Sequence, residues 1–178
     1  MRYAKIETNS VSNGTGIRVV LYVQGCSVHC PGCHNESTWD FNGGQIFTEK
    51  ELNIIFNELD KPYVKGITFS GGHPLEYPNL SDCLELAANI KINYPNKDIW
   101  LYTGYTLKES DFKLSEEYGG RQNGKTLASF LRLCDVIVDG PFIENQRDLT
   151  LKFRGSQNQR LIDVKATLAN KKITLLDN

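Results

Sequence analysis

A chain of 178 residues with 20 Lys and Arg against 21 Asp and Glu carries a formal charge of -1, which offers neither nucleic acid nor an anionic membrane a field to follow. The length suits a core of useful size, and residues 1–178 are read as a single domain. Five cysteines, odd in number and mostly clustered, do not resemble a secreted disulfide framework; the N-terminus is polar and mixed, and no apolar run could span a bilayer, so the chain reads as soluble and cytoplasmic.

Residues 3–7 read as a short edge strand and 9–16 as a turn-rich loop with Asn13-Gly14 and Gly16. The apolar run Ile17–Val23 predicts a core strand covered on both faces. Residues 39–44 are irregular. Thr48-Glu49-Lys50-Glu51 is a capping box, and Leu52, Ile55, Phe56 and Leu59 follow at helical spacing until Lys61-Pro62. Strands are expected at 66–70, Asp98–Tyr102 and 135–138, with a weak one at 161–164. Helices are expected at 81–93, with Ser81 as its N-cap, and at 126–133. Residues 106–125 are polar and glycine-rich around Tyr118-Gly119-Gly120, a helical turn followed by a loop.

Strands alternating with helices predict an α/β fold with a parallel sheet. Each unusual loop then follows a strand's C-terminal end: the cysteine loop, Gly71-Gly72-His73-Pro74, Thr103-Gly104-Tyr105 and Asp139-Gly140-Pro141-Phe142. In parallel sheets those ends share one edge, where sites are built. The βα units are too few for a closed eight-fold barrel, which leaves an incomplete, partial TIM-like barrel.

The densest chemistry lies in Gly25-Cys26-Ser27-Val28-His29-Cys30-Pro31-Gly32-Cys33-His34-Asn35, where Cys26, Cys30 and Cys33 are spaced C-x3-C-x2-C. Thiolates this close converge on a soft metal centre more readily than they bridge one another. Two centres are open, an iron–sulfur cluster and zinc. Zinc would need His29 or His34 as a fourth ligand, since no second C-x2-C or H-x3-H pair follows, and His73, Cys83 and Cys134 would have to fold back one by one. A cuboidal cluster on three cysteines instead keeps one iron open. Cys83 and Cys134, set among apolar residues, read as buried small hydrophobes, and His29 and His34 as neighbours of the ligands.

The stretch from Gln24-Gly25-Cys26 through Cys33-His34-Asn35 resembles the radical S-adenosylmethionine (SAM) enzymes, and within them the activating proteins of anaerobic ribonucleotide reductases. Gly14-Thr15-Gly16-Ile17-Arg18, Ser70-Gly71-Gly72-His73-Pro74 and the tail Arg154-Gly155-Ser156-Gln157-Asn158-Gln159-Arg160 carry the same resemblance, which runs from Gly14 to about Arg160. It implies a radical SAM-type partial barrel and a [4Fe–4S] cluster on Cys26, Cys30 and Cys33, with the SAM amino and carboxylate groups on the remaining iron. It further implies cofactor contacts from Gly32, Cys33, His34, Gly71, Gly72, Thr103 and Asp139. Two positions depart from the pattern: Gly32 stands where many members carry an aromatic residue, so that backbone would face the nucleoside, and His73 stands where an acidic residue is common. The tail is read either as packing or as partner contact.

The implied activity is reductive cleavage of SAM to methionine and a 5′-deoxyadenosyl radical, which takes a hydrogen atom from a glycine of the anaerobic ribonucleotide reductase large subunit. A one-electron donor, flavodoxin-like or other, would supply the electron. Activation of a different glycyl-radical enzyme, a small-molecule radical SAM reaction and a structural zinc or iron–sulfur module are the alternatives.

Overall fold

The computed structural model describes residues 1–114 and 124–176. In chain order its elements are β1 (Arg2–Ser10), β2 (Ile17–Val23), β3 (Gln45–Ile46), α1 (Glu49–Leu59), β4 (Val64–Gly71), α2 (Tyr77–Asn93), β5 (Asp98–Tyr102), α3 (Gly124–Leu133), β6 (Val136–Asp139), β7 (Arg160–Asp163) and α4 (Val164–Asn170). Among the described residues the strands form one sheet in the order β3-β1-β2-β4-β5-β6-β7.

The sheet is mixed, which corrects the wholly parallel reading. The β2-β4-β5-β6 run is parallel, whereas β1 pairs antiparallel with both β2 and β3, and β7 antiparallel with β6. A loop as short as 11–16 can only return the chain antiparallel, because a parallel neighbour needs a long crossover. β1 is also longer than expected and lies inside the sheet edge, with the two residues of β3 outside it.

The helix starts follow local chemistry. At α1 the capping box forms as expected: the Thr48 side chain accepts from the Lys50 N–H, and Glu51 Oε2 accepts from the Thr48 N–H at 2.9 Å. α2 begins at Tyr77, ahead of the expected Ser81, with Glu76 in extended backbone at its N-cap. Pro78 sits in the first turn, where a missing N–H costs nothing, so Tyr77-Pro78 opens this helix instead of preceding it. Of the expected 106–125 region, Glu109–Phe112 forms a 3-10 turn, while Gly119-Gly120 falls outside the described residues.

Side-chain alternation along the parallel strands sorts the two faces. Val19, Leu21, Val23, Ile67, Phe69, Ile99, Leu101 and Ile137 join the main core together with Ile55 and Leu59 of α1, Cys83, Leu86 and Ile90 of α2, and Phe130 and Leu131 of α3. These three helices therefore cover one face. At about 25 cal/mol per Å² of apolar area buried, that interface contributes favourably to folding. The opposite face carries a small cluster of Trp100, Val136, Val138 and Leu161, lined by Tyr102 and Phe153. Beside it lies fully buried Arg18, which reaches Thr68 Oγ1 at 2.9 Å, the Ile67 carbonyl at 2.9 Å and Asp98 at 2.6 Å. A buried guanidinium is tolerated only when its donors are matched in this way. Among the described residues no helix is long and apolar enough to cross a membrane.

Candidate metal centre and cofactor pocket

β2 ends at Val23 and hands the chain directly to the cysteine loop. Four backbone bonds fix the loop's entry. Gly25 N–H donates to the Thr38 carbonyl at 2.8 Å and Cys26 N–H to the Trp39 carbonyl at 3.1 Å; from the next strand, Gly72 N–H donates to the Val23 carbonyl and His73 N–H to the Gly25 carbonyl, both at 2.8 Å. Buried side chains brace the same corner. Gln24 Nε2 donates to the carbonyls of Ser37 and Asp40, and Asn79 Nδ2 to those of Gln24 and His73.

Gly71 and Gly72 have a physical reason to be glycine. Gly71 has φ +96°, and a Cβ there would stand 2.6 Å from Tyr22 Cα. At Gly72 a Cβ would stand 2.5 Å from the Gly25 carbonyl oxygen and 2.9 Å from its carbon and nitrogen. The pair lets two backbones touch, so the strand end of β4 docks the cysteine loop. The close approach expected toward a ligand is, in these contacts, an approach to the chain itself.

One cavity is lined by Cys26, Cys30 and Cys33 together with Gly71, Gly72 and Thr103. Of the other residues singled out in the sequence, Gly32 and His34 are exposed and do not line this cavity, and a Cβ at Gly32 would stand 3.1 Å from the Glu144 carboxyl carbon. Asp139 lies beneath the cavity with no exposed surface. Its carboxylate accepts from Arg160 Nε at 2.9 Å and from the Leu107 N–H at 2.8 Å, and pairs with Arg160 NH2 at 2.5 Å. Thr103 Oγ1 accepts from the Tyr105 N–H and shares a 3.0 Å hydrogen bond with Nε2 of His73, whose ring packs on Tyr105 at 4.2 Å.

The sequence did not single out Trp39 or Gln159 for this pocket, and Phe142 only as part of a longer motif; all three line it. Nothing in a Ser-Thr-Trp or Asn-Gln-Arg triplet marks a cavity wall, because each arrives from a separate segment. Part of the tail packs against the loop after β6. Fully buried Ser156 accepts from the Ile143 N–H, Asn158 Nδ2 donates to the Pro141 carbonyl at 2.8 Å, and Gln159 Nε2 donates to the Gly140 carbonyl at 3.1 Å. These bonds fold 140–159 over the cysteine loop. Glu76 clamps the other side: its Oε1 accepts from Ser27 N–H at 3.1 Å, from the Ser27 hydroxyl and from the Tyr105 hydroxyl at 3.4 Å.

Burial pushes the Cys26 thiol up, opposed by the backbone N–H groups of His29 and Val28 that reach its sulfur; the Glu76 charge adds a smaller upward push. Cys30 is likewise raised by burial and relieved by the Phe142 N–H, while Cys33 Sγ accepts from the Asn35 N–H at 3.4 Å. Every thiol thus has a backbone donor aimed at it, the arrangement that stabilises a metal-bound thiolate. Because burial favours the protonated Cys26 and Cys30 thiols, metal loading must displace those two protons. Among the described residues no three His, Cys, Asp or Glu side chains gather onto a single ion. A cuboidal cluster takes each thiolate on a different iron and needs no such convergence. The donor set fits a cluster. Cys83 and Cys134 lie in the core, and burial drives both thiols far up, as expected of inert cysteines.

The model of the 4Fe-4S single cluster domain family matches residues 12–162. An anaerobic ribonucleoside-triphosphate reductase-activating protein of Vibrio cholerae is 39% identical over 161 residues, which cover 89% of this chain and 96% of that protein. Its counterpart in Escherichia coli K12 is 38% identical with the same coverage, and that of Enterobacteria phage T4 is 40% identical over 90% of this chain and 93% of the phage protein.

Proposed function

The chain belongs to the 4Fe-4S single cluster domain family and, within it, to the anaerobic ribonucleoside-triphosphate reductase-activating proteins, and from that membership we propose that it installs a glycyl radical on an anaerobic ribonucleotide reductase. The observation that carries the reading is the single cavity shared by the three thiols of one loop and the backbone of Gly71 and Gly72.

In this reading Cys26, Cys30 and Cys33 hold a [4Fe–4S] cluster, and SAM occupies the neighbouring part of the cavity along Gly71, Gly72 and Thr103. When bound, the cluster supplies one electron for cleavage of the SAM carbon–sulfur bond, giving methionine and the 5′-deoxyadenosyl radical that takes the glycine's hydrogen. The residues of this chain do the positioning. Backbone N–H groups of Val28, His29, Asn35 and Phe142 hold the thiolates, and Gly72 and His73 anchor the loop that presents them. Gly32 and His34 flank Cys33 outside the cavity lining, and Asp139 supports the pocket from beneath.

The chain acts as a single cytoplasmic domain. Its helices on one face and small polar-edged cluster on the other favour a partial barrel whose open side admits a loop of the reductase. A one-electron donor, flavodoxin-like or other, completes the system.

Two results test this reading. Cys26→Ala, Cys30→Ala and Cys33→Ala should each lose essentially all iron after anaerobic reconstitution, while Cys83→Ser and Cys134→Ser keep it. Stoichiometric zinc without iron absorption would end the cluster reading. Mixed with SAM, dithionite and an anaerobic ribonucleotide reductase from the same source, the protein should produce a glycyl-radical doublet on the large partner in electron paramagnetic resonance. A doublet on a formate-lyase-type enzyme instead, or deoxyadenosine with neither partner responding, would move the function to another glycyl-radical enzyme or to a small molecule.

A further inference from the structure

Glu76 occupies the N-cap of α2, a position whose side chain ordinarily accepts an N–H from the helix's own first turn, yet it makes no such bond. Its half-buried carboxylate reaches across to the cysteine loop instead. Oε1 accepts from the Ser27 N–H at 3.1 Å and from the Ser27 hydroxyl, with the Tyr105 hydroxyl at 3.4 Å as a third donor. The Ser27 nitrogen is bonded to the carbonyl carbon of Cys26, so this clamp sets a negative charge beside the first thiol of the loop. The N–H groups of Val28 and His29 reach the Cys26 sulfur, while that of Ser27 is taken by Glu76. Glu144, the carboxylate beside Gly32, is exposed, and water screens it.

We propose that Glu76 is a positioning residue that lowers the reduction potential of the bound cluster: it fixes the turn after Cys26 and adds a negative charge there, which opposes the extra electron. The inference rests on the activase reading above. Two effects act in the same direction. Reduction makes the cluster more negative, and a like charge held close opposes that change. Hydrogen bonds to cluster sulfurs favour the reduced state, and Glu76 keeps the Ser27 N–H from making one. In the metal-free protein the same charge adds to burial in pushing the Cys26 thiol up. The electron that the external donor supplies then passes to SAM with greater driving force, as the carbon–sulfur bond breaks and the cluster returns to its oxidised state. With histidine at 73, the carboxylate of this turn stands at 76 and serves the loop that holds the metal; it does not line the cavity.

The test compares the parent with Glu76→Gln, which keeps an acceptor for Ser27 and removes the charge, and with Glu76→Ala, which removes both. Each is reconstituted anaerobically and titrated through a series of potentials, with reduced cluster read by electron paramagnetic resonance. Glu76→Gln should hold the parent's iron and show about threefold more reduced relative to oxidised cluster at the parent's midpoint, a rise of about 28 mV for one electron. In the metal-free proteins, hydrogen exchange at the Ser27 amide should speed up about tenfold in Glu76→Ala and stay near the parent's rate in Glu76→Gln. A midpoint that is unchanged or lower in Glu76→Gln overturns the proposal, whether or not SAM binding weakens, as does a Glu76→Ala amide that exchanges like the parent's. A rise accompanied by exchange as fast as in Glu76→Ala assigns the effect to a loosened loop and overturns it equally. If Glu76→Gln takes up no iron, Ser27→Ala decides. It strips the hydroxyl from the carboxylate and leaves the charge, so the midpoint should fall, and one that stays or rises overturns the proposal. A parent that holds no cluster at all defeats the activase reading instead.

Discussion

Gly72→Val should leave anaerobic reconstitution with little or no iron, although the variant remains folded. A Cβ at this position would sit 2.5 Å from the Gly25 carbonyl oxygen, and the atoms in the way are backbone, which cannot rotate aside. The cysteine loop must therefore retreat, and the 2.8 Å bond from His73 N–H to that same carbonyl is lost with it. Overpacking of this kind costs about 1–3 kcal/mol. The clashing atoms all belong to Gly25, so the damage concentrates on the loop that carries all three thiols. Iron per chain and the visible absorption of the reconstituted protein measure the outcome. Full iron with weakened SAM binding would show that Gly72 faces the ligand and not Gly25.

The second large effect is on stability. Asp139→Ala should lower the melting temperature of the metal-free protein by on the order of 10 °C, followed by circular dichroism. The Asp139 side chain is fully buried and Arg160 only 30% exposed, and removing one member of such a pair strands the other. That loss typically costs about 3–5 kcal/mol, and the Leu107 N–H loses its acceptor too. Arg160→Ala should produce a comparable fall, because it leaves the carboxylate stranded instead. An unchanged melting temperature with impaired SAM binding would return Asp139 to the ligand pocket, where its motif had suggested a place.

What the sequence disclosed and what it hid follow from how far each signal reaches. The capping box at Thr48, the strands at Ile17–Val23 and Asp98–Tyr102 and the burial of Cys83 and Cys134 rest on local patterns, and all appear where expected. Strand direction at β1 and β7 was not readable from alternation, since apolar periodicity is the same in parallel and antiparallel pairs. The start of α2 was missed because Ser81 is a good N-cap by residue type, whereas the helix starts one turn earlier with Pro78 in its first turn. At the site, three cysteines in eight residues are conspicuous, and Gly71, Gly72 and Thr103 follow from their place at strand ends. Trp39, Phe142 and Gln159 reach the same cavity from three separate loops. Only the fold brings them together. Asp139 illustrates the converse: its motif marked it as a pocket residue, but the partner that claims it, Arg160, lies 21 positions away in the chain.

The junction between Gly25 and the Gly71-Gly72-His73 turn also sets which letters of that motif are free to drift. At 71 and 72 the requirement is the absence of a Cβ, so any substitution is felt at once. At 73 the main-chain N–H makes the bond to Gly25, and that bond is indifferent to the side chain attached. The side chain meets Thr103 and Tyr105 among its neighbours, and a histidine that suits them is admissible where the resemblance leads one to expect an acidic residue. A pattern written to find such loops should therefore hold the two glycines rigid and leave the third position open.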